Sequence, residues 1–334
     1  MRLPIRYRDC GLALLLALIP AALQAAAPER ITLEVVSVRP HDTQAFTQGL
    51  LQYQGSLYES TGVYGSSSLR KVDPLTGSVL RRVNNASSEF AEGLARVNDR
   101  LIQLTWKENV AHVYELSNFN EVDQFAYVGE GWGLCYDGNR LVMSDGTSQL
   151  QFRNPTTFAL LGTVVVTIDG TPQPRINELE CVGTDVYANV WQTDAILRID
   201  ATTGEVGAII DASGLLTSAE AASADMLNGI AFDAATGLFL ITGKNWPKLF
   251  EVRFGAAIPT DDGGQAGPDG GSSDGSGDSG GGLSGDTRQP VPPPTGCGCG
   301  AASATVLPAL ILLGRRRPAM RHGGQNQAAY SRSI

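Results

Sequence analysis

From about residue 31 to 254 the chain alternates short apolar runs with turn residues, and the runs have the length and alternation of strands. Ser56-Leu57-Tyr58-Glu59 is followed by Ser68-Leu69-Arg70-Lys71-Val72. Asp73-Pro74-Leu75-Thr76-Gly77 then turns the chain into Ser78-Val79-Leu80-Arg81-Arg82-Val83. Runs of this kind, broken by Asp, Pro, Gly and Asn, predict strands joined as an antiparallel meander. The pattern returns over 101–106, 110–116 and 121–128, and again over 186–191, 195–200 and 205–210. The turn Asp200-Ala201-Thr202-Thr203-Gly204 echoes the first. A last unit, 237–242 and 248–254, stops one strand short, while a spare strand pattern covers 31–38. We expect the N-terminal strand to complete the last unit and close a ring, which leaves no badly exposed sheet edge.

One phrase recurs at the head of each unit: Phe46-Thr47-Gln48-Gly49-Leu50, Phe90-Ala91-Glu92-Gly93-Leu94, Gly131-Trp132-Gly133-Leu134, Ile176-Asn177-Glu178-Leu179 and Leu227-Asn228-Gly229-Ile230. Aligned on the final Leu or Ile, one slot holds Gln48, Glu92, Trp132, Asn177 and Asn228, in steps of 44, 40, 45 and 51 residues. A period near 40–50 residues with strand content predicts a β-propeller, whose blades are four-stranded sheets around a channel. At about 45 residues per blade, the segment 28–254 holds five blades and no second domain. The expected fold is all-β, a five-bladed β-propeller with the N-terminal strand closing the last blade. A second slot, at the far end of the next strand, holds Thr61, Trp106, Asp145, Trp191 and Lys244. An outgoing strand and a returning one place both slots near one mouth. Three of the four tryptophans, Trp106, Trp132 and Trp191, fall in these slots. A single tryptophan is as readily core packing; three on one surface indicate a binding cavity.

The flanks differ from this middle. Arg2, Arg6 and Arg8 precede an apolar run, 12–23, that ends in Gln24-Ala25-Ala26-Ala27, the pattern of a secretory signal peptide over 1–27. Residues 255–296 are Gly, Ser, Asp and Pro with almost nothing to bury, a flexible linker. Residues 297–334 open with Cys297-Gly298-Cys299, pass through an apolar stretch, 301–313, and reach Arg315-Arg316-Arg317. That order resembles a bacterial C-terminal sorting signal. It implies export, membrane retention through the tail and attachment at the cell surface or outer membrane. The net charge of −9 comes with no basic patch in the mature part, which argues against nucleic acid. Cys135 and Cys181 are the two cysteines of the middle segment, and a disulfide and two buried thiols are equally compatible with the sequence. His41 and His112 lack ligand-spaced partners, so no catalytic zinc site is expected.

The ordered set of phrases resembles the plant and bacterial glutaminyl-peptide cyclotransferases, or glutaminyl cyclases. The five head phrases carry it, with Leu104-Thr105-Trp106-Lys107, Ala188-Asn189-Val190-Trp191-Gln192-Thr193 and Thr242-Gly243-Lys244-Asn245-Trp246-Pro247-Lys248-Leu249-Phe250-Glu251. The resemblance spans about 41–252 and implies a five-bladed propeller. It also implies a reaction on peptides or proteins with an N-terminal glutamine: the α-amino nitrogen attacks the side-chain amide carbon, ammonia leaves and a pyroglutamyl ring remains. One carboxyl tuned toward working pH can shuttle the proton. Glu92, beside Phe90 and the tryptophans, is the candidate, its pKa raised by an apolar wall. Lys244 or Gln48 is the candidate to polarise the amide oxygen, with Lys248 the rival cation, and Asn177 to orient the amide or amine. Phe46, Phe90, Trp106, Trp132 and Trp191 would wall the cavity against water. No cofactor is required; the resemblance allows at most a structural cation in the channel, on backbone carbonyls that leave no sequence trace. The expected molecule is a monomer. Two other readings remain: a calcium-dependent propeller lactonase using Glu92, Asn177, Asn228 and Asp145 as oxygen ligands, and a non-catalytic surface propeller that binds peptides or glycans.

Overall fold

The computed structural model describes residues 27–257. The expected signal peptide, and the linker and tail beyond residue 257, lie outside them. The described chain is all-β apart from one short helix. In order come β1 (Glu29–Pro40), β2 (Thr47–Tyr53), β3 (Ser56–Thr61), β4 (Ser68–Val72), β5 (Val79–Asn84), β6 (Ala91–Val97), β7 (Arg100–Thr105), β8 (Val110–Glu115) and β9 (Glu121–Ala126). Then follow β10 (Leu134–Tyr136), β11 (Leu141–Ser144), β12 (Gln149–Arg153), β13 (Leu160–Val165), β14 (Thr167–Ile168), β15 (Thr171–Pro172), β16 (Ile176–Val182), β17 (Asp185–Val190), β18 (Ala195–Asp200) and β19 (Val206–Asp211). The helix α1 (Ser218–Ala221) precedes β20 (Leu227–Asp233), β21 (Leu238–Gly243) and β22 (Lys248–Ala257).

Strands β2–β5, β6–β9 and β10–β13 form three antiparallel four-stranded meanders. β16–β19 form a fourth. β20–β22 form a fifth that β1 completes by antiparallel pairing with β22, from Ile31 opposite Ala257 to Pro40 opposite Lys248. β22 therefore carries ladder pairing to Ala257, past the expected linker boundary at 254. β1 does one thing the sequence pattern did not suggest. Its first residues, Glu29 to Thr32, pair in parallel with Ala208 to Asp211 of β19, so the last two meanders join as one eight-stranded sheet.

The first strands of the meanders stand side by side in a cycle: β2 by β6, β6 by β10, β10 by β16, β16 by β20 and β20 by β2. One apolar cluster fills each interval between successive sheets. Leu51, Leu69, Leu94 and Leu101 lie between the first and second, and Ile102, Leu104, Leu134 and Leu141 between the second and third. Val142, Leu150, Leu179 and Val186 lie between the third and fourth, Ile196, Ile210, Ile230 and Ile241 between the fourth and fifth, and Leu50, Leu57, Ala231 and Leu240 close the cycle. Burial falls from the first strand outward: β2 and β6 are buried from their first residue, whereas β5 and β9 are almost wholly exposed and carry Arg81, Arg82, Glu121 and Asp123. Cys135 of β10 and Cys181 of β16 are joined as a disulfide, which staples the third meander to the fourth.

The repeated glycine has a steric cause. A Cβ on Gly93 would lie 2.6 Å from the carbonyl oxygen of Trp132, so only glycine lets the second head phrase lie against the third. The fourth phrase holds Glu178 in that place. Its carboxyl crosses the ring, with Oε1 accepting from Leu50 N of β2 at 3.2 Å and Oε2 from Ile230 N of β20 at 2.8 Å. Two residues on, Glu180 accepts from Phe232 N at 2.9 Å. Burial, and for Glu178 also the charge of Glu180, outweigh the N–H donors: Glu178 is pushed well above the usual carboxylate range and Glu180 to about 8.

Candidate active site

β-bulges present the repeated slot to the ring. Gln48 falls between the register pairs Thr47–Thr61 and Gly49–Ser60. Glu92 falls between Ala91–Thr105 and Leu94–Gln103, Asn177 between Ile176–Val190 and Leu179–Ala188, and Asn228 between Leu227–Gly243 and Ile230–Ile241. A bulge bends the strand and re-aims a side chain. The third phrase does the same without a named strand: Trp132 N donates to Ser144 O at 3.0 Å, and Trp132 O accepts from Gly93 N at 2.7 Å. The second-slot residues Trp106, Trp191 and Lys244 follow directly after β7, β17 and β21.

These placements bring the candidates together. Phe90, Trp106, Trp132 and Trp191 form one buried aromatic cluster, with Phe46, Val63, Tyr64 and Met226 packed against it. Phe90 meets Trp106 edge-on at 5.6 Å between ring centroids and Phe46 at 6.1 Å; Trp132 and Trp191 meet edge-on at 5.8 Å. Glu92, Gln48, Asn177 and Lys244 are all buried. Gln48 Nε2 donates to Glu92 Oε1 at 3.0 Å, and Lys244 Nζ lies 4.8 Å from the Phe46 ring centroid, a cation–π contact. Asn177 Oδ1 is buried with no hydrogen-bond partner among the described residues, as is Asn228 Oδ1. Lys248, the rival cation, pairs instead with Glu220 of α1 at 2.7 Å. Thr61 and Asp145 of the second slot do not join the group: Thr61 bonds Ser68, and Asp145 bonds Thr147 and Gln151.

Burial shapes the electrostatics. It drives Glu92 well above the ordinary carboxylate range; Lys244 pulls the other way, and the charges of Glu130 and Glu108 add to the rise. Burial also lowers Lys244, against the pull of Glu92 and Asp225. Burial thus works against the charged form of both groups, while each charge favours the other.

Three contributors were not singled out as site residues from the sequence. Glu130 Oε2 accepts from both Trp106 Nε1 at 2.8 Å and Trp132 Nε1 at 3.0 Å, tying two walls from adjacent meanders. Glu108 accepts from Tyr64 Oη at 2.9 Å and from Phe90 N at 3.3 Å. Asn228, considered only as an oxygen ligand for calcium, donates through Nδ2 to Gln48 Oε1 at 3.1 Å and to Thr47 O at 2.9 Å. The available signals were positional: Glu130 stands two residues before Trp132, Glu108 two after Trp106, and Asn228 occupies the fifth slot itself. Among the described residues no group of three or more His, Cys, Asp or Glu is placed to hold a metal, and both oxygens of Glu178 face N–H donors.

Comparison with known proteins agrees with this geometry. Residues 11–254 match the family described as glutamine cyclotransferase. A glutaminyl-peptide cyclotransferase of Arabidopsis thaliana is 43% identical over 230 residues, covering 66% of this chain and 71% of that protein. The crystal structure of a Myxococcus xanthus glutaminyl cyclase superposes with a TM-score of 0.64 at 40% identity, covering 70% of this chain and all of that one.

Proposed function

The chain belongs to the glutamine cyclotransferase family, and we propose that Glu92 carries the proton in its reaction. The enzyme closes the N-terminal glutamine of a peptide or protein to pyroglutamate and releases ammonia. We read the five meanders as the blades of a five-bladed propeller, with the active site at one mouth of the ring. The observation that supports Glu92 most is its setting: a buried carboxyl, raised well above the ordinary carboxylate range, hydrogen-bonded to Gln48 and opposed by the charge of Lys244.

The reaction divides among the residues as follows. The aromatic cluster holds the glutamine side chain and excludes water, whose attack would deamidate instead of cyclise. The α-amino nitrogen attacks the amide carbon; the new C–N bond forms as the carbonyl electrons move to oxygen. Lys244 stabilises that oxyanion. The proton shed by the attacking nitrogen passes to the Glu92 carboxylate. Glu92 then returns it to the leaving nitrogen, the old C–N bond breaks, and ammonia departs. A raised pKa makes one carboxyl an effective base and then an effective acid. Asn177 Oδ1, open in the described structure, accepts an N–H of the substrate and orients it.

The remaining expectations extend this reading. The cysteine-containing tail would hold the exported enzyme at a bacterial cell surface, where the peptides it meets are extracellular, and the working form is a monomer. The decisive assay is ammonia release, with mass spectrometry, from a short glutamine-initiated peptide, comparing the purified full chain with Glu92→Gln. A pyroglutamyl product from the wild type and a loss of about 10²- to 10⁴-fold in the variant supports the assignment. Equal turnover by both proteins would retire Glu92 as the proton carrier.

A further inference from the structure

The five slots are not independent. Asn228, Gln48 and Glu92 form a buried chain of hydrogen bonds whose direction is fixed at one end. Thr47 O is a backbone carbonyl and only accepts. The Asn228 amide therefore turns its NH2 toward Thr47 O, at 2.9 Å, and the same nitrogen lies 3.1 Å from Gln48 Oε1. Rotating the Asn228 amide would set its oxygen against two other oxygens. With Asn228 fixed, Gln48 turns its carbonyl to Asn228 and its own NH2 to Glu92 Oε1, at 3.0 Å. The choice of amide orientation, ordinarily read from the network as a whole, here follows from a single carbonyl. All three side chains are buried.

From this chain we infer that Asn228 is a positioning residue for catalysis, and that Glu92 Oε2 is the oxygen that carries the proton. Oε1 always meets an N–H, so the neutral acid places its hydrogen on Oε2. The hydrogen bond that the described residues make to this carboxyl is the one to Oε1, which leaves Oε2 to the substrate. The carboxyl thus has one oxygen for anchoring and one for chemistry. It takes the proton from the attacking nitrogen and returns it to the departing one through the same atom, without rotating. Asn228 touches neither nitrogen; it acts through Gln48. The inference rests on the assignment of Glu92 as the proton carrier.

The test uses the full chain with Asn228→Leu and Asn228→Asp, the peptide assay and pH profiles. Asn228→Leu removes the donor that orients Gln48, and kcat is expected to fall about 10- to 100-fold with KM nearly unchanged. Asn228→Asp offers an acceptor in place of the donor. It draws the Gln48 NH2 away from Glu92 and adds a negative charge to a carboxyl already faced by Lys244, Glu130 and Glu108. Its kcat is expected to fall further, and the acid limb of its profile to move to higher pH. Near-ultraviolet circular dichroism of the tryptophan cluster checks that both variants fold. In the wild type, the ¹⁵N-labelled side-chain amide of Gln48 is expected to shift through the pH range of the acid limb, and to stay flat in Glu92→Gln. That measurement stands even if the variants do not fold. Folded variants with wild-type kcat and pH profile, or a Gln48 amide that does not titrate, would overturn the inference. Glu92→Gln with full turnover would instead sink the proton-carrier assignment on which it rests.

Discussion

Two neighbouring residues of β2 donate to two buried glutamates with opposite fates. Thr47 Oγ1 donates to Glu59 Oε1 at 2.7 Å, and Gln48 Nε2 donates to Glu92 Oε1 at 3.0 Å. Both carboxyls are shut away from bulk water, and burial pushes both toward the neutral form. Glu59 is rescued by partners. Arg70 pairs with it through Nε at 3.1 Å and through Nη2, and His41 Nε2 lies 3.0 Å away. Against the burial, these partners hold Glu59 down at about 2. Glu92 has Lys244, itself buried and weakened, and two further acids within range. Partners, more than depth, decide whether a buried carboxyl is a fixed charge or a switch. The fixed charge also supports the site, because His41 Nδ1 reaches Trp246 O at 2.8 Å in the turn that follows Lys244.

Exchanging the roles gives the sharpest contrast. Glu92→Gln is expected to lose about 10²- to 10⁴-fold in turnover with unfolding by denaturant almost unchanged. Glu59→Gln leaves His41 buried without its counter-charge and Arg70 with Asp42 as its remaining one, and is expected to cost about 3–5 kcal/mol of stability, read by the same denaturation. If both variants lost only activity, or both only stability, the contrast would collapse.

The pH dependence separates the two acids next. Glu59, lowered to about 2 in the fold, adds stability that is complete above the unfolded carboxylate range and is lost as pH falls through about 2. Its weight is on the order of 3 kcal/mol. Glu180 behaves oppositely: raised to about 8, its contribution is complete below the unfolded range and is lost as pH rises through about 8. Thermal melts across pH are expected to show both flanks, and Glu180→Gln to flatten the alkaline one. Activity follows neither flank. If Glu92 carries the proton, the acid limb is expected above the ordinary carboxylate range, and with Lys244 as the cation at the oxyanion the alkaline limb is expected below the ordinary lysine range.

Reducing the Cys135–Cys181 staple with Cys135→Ser is expected to cost about 2–4 kcal/mol with kcat unchanged, since neither sulfur joins the aromatic cluster. The smallest effect sharpens the comparison from the other side. Glu130→Gln keeps an acceptor for the two indoles and removes one charge that raises Glu92. The acid limb is expected to move down by a fraction of a pH unit, damped further by salt because Glu130 is partly exposed. An unmoved limb at low ionic strength would show that Glu130 does not help to raise Glu92.

The strands and the slots were legible in the sequence because each follows from a local constraint. Gly93 recurs in register because the next head phrase crowds it, and the slot beside it stays in phase by the same geometry. Asn228 and Glu130 were visible as positions yet not as partners: their roles depend on which oxygen faces which nitrogen across meanders, 180 residues apart for Asn228 and Gln48. Glu178 was quoted in its phrase but its crossing of the ring was not foreseen, since a break in a repeat does not say what the new side chain reaches. The pairing of Cys135 with Cys181 was open for the same reason. The hairpin β14–β15 is too short to register as alternation. The helix α1 does carry a local signal, the capping box of Thr217 and Glu220, in a stretch that the strand pattern passes over.

The pairing of β1 with β22 sets Ile31, four residues into the described chain, opposite its last residue, Ala257, about 5 Å apart. The fold is in effect a closed loop of chain cut once, inside its last sheet. A bridge of a few residues would seal that cut, and new ends opened at an exposed turn such as Asn98-Asp99 would leave every strand its present neighbours. The order in which the meanders leave the ribosome is thus a property of the gene and not a requirement of the architecture.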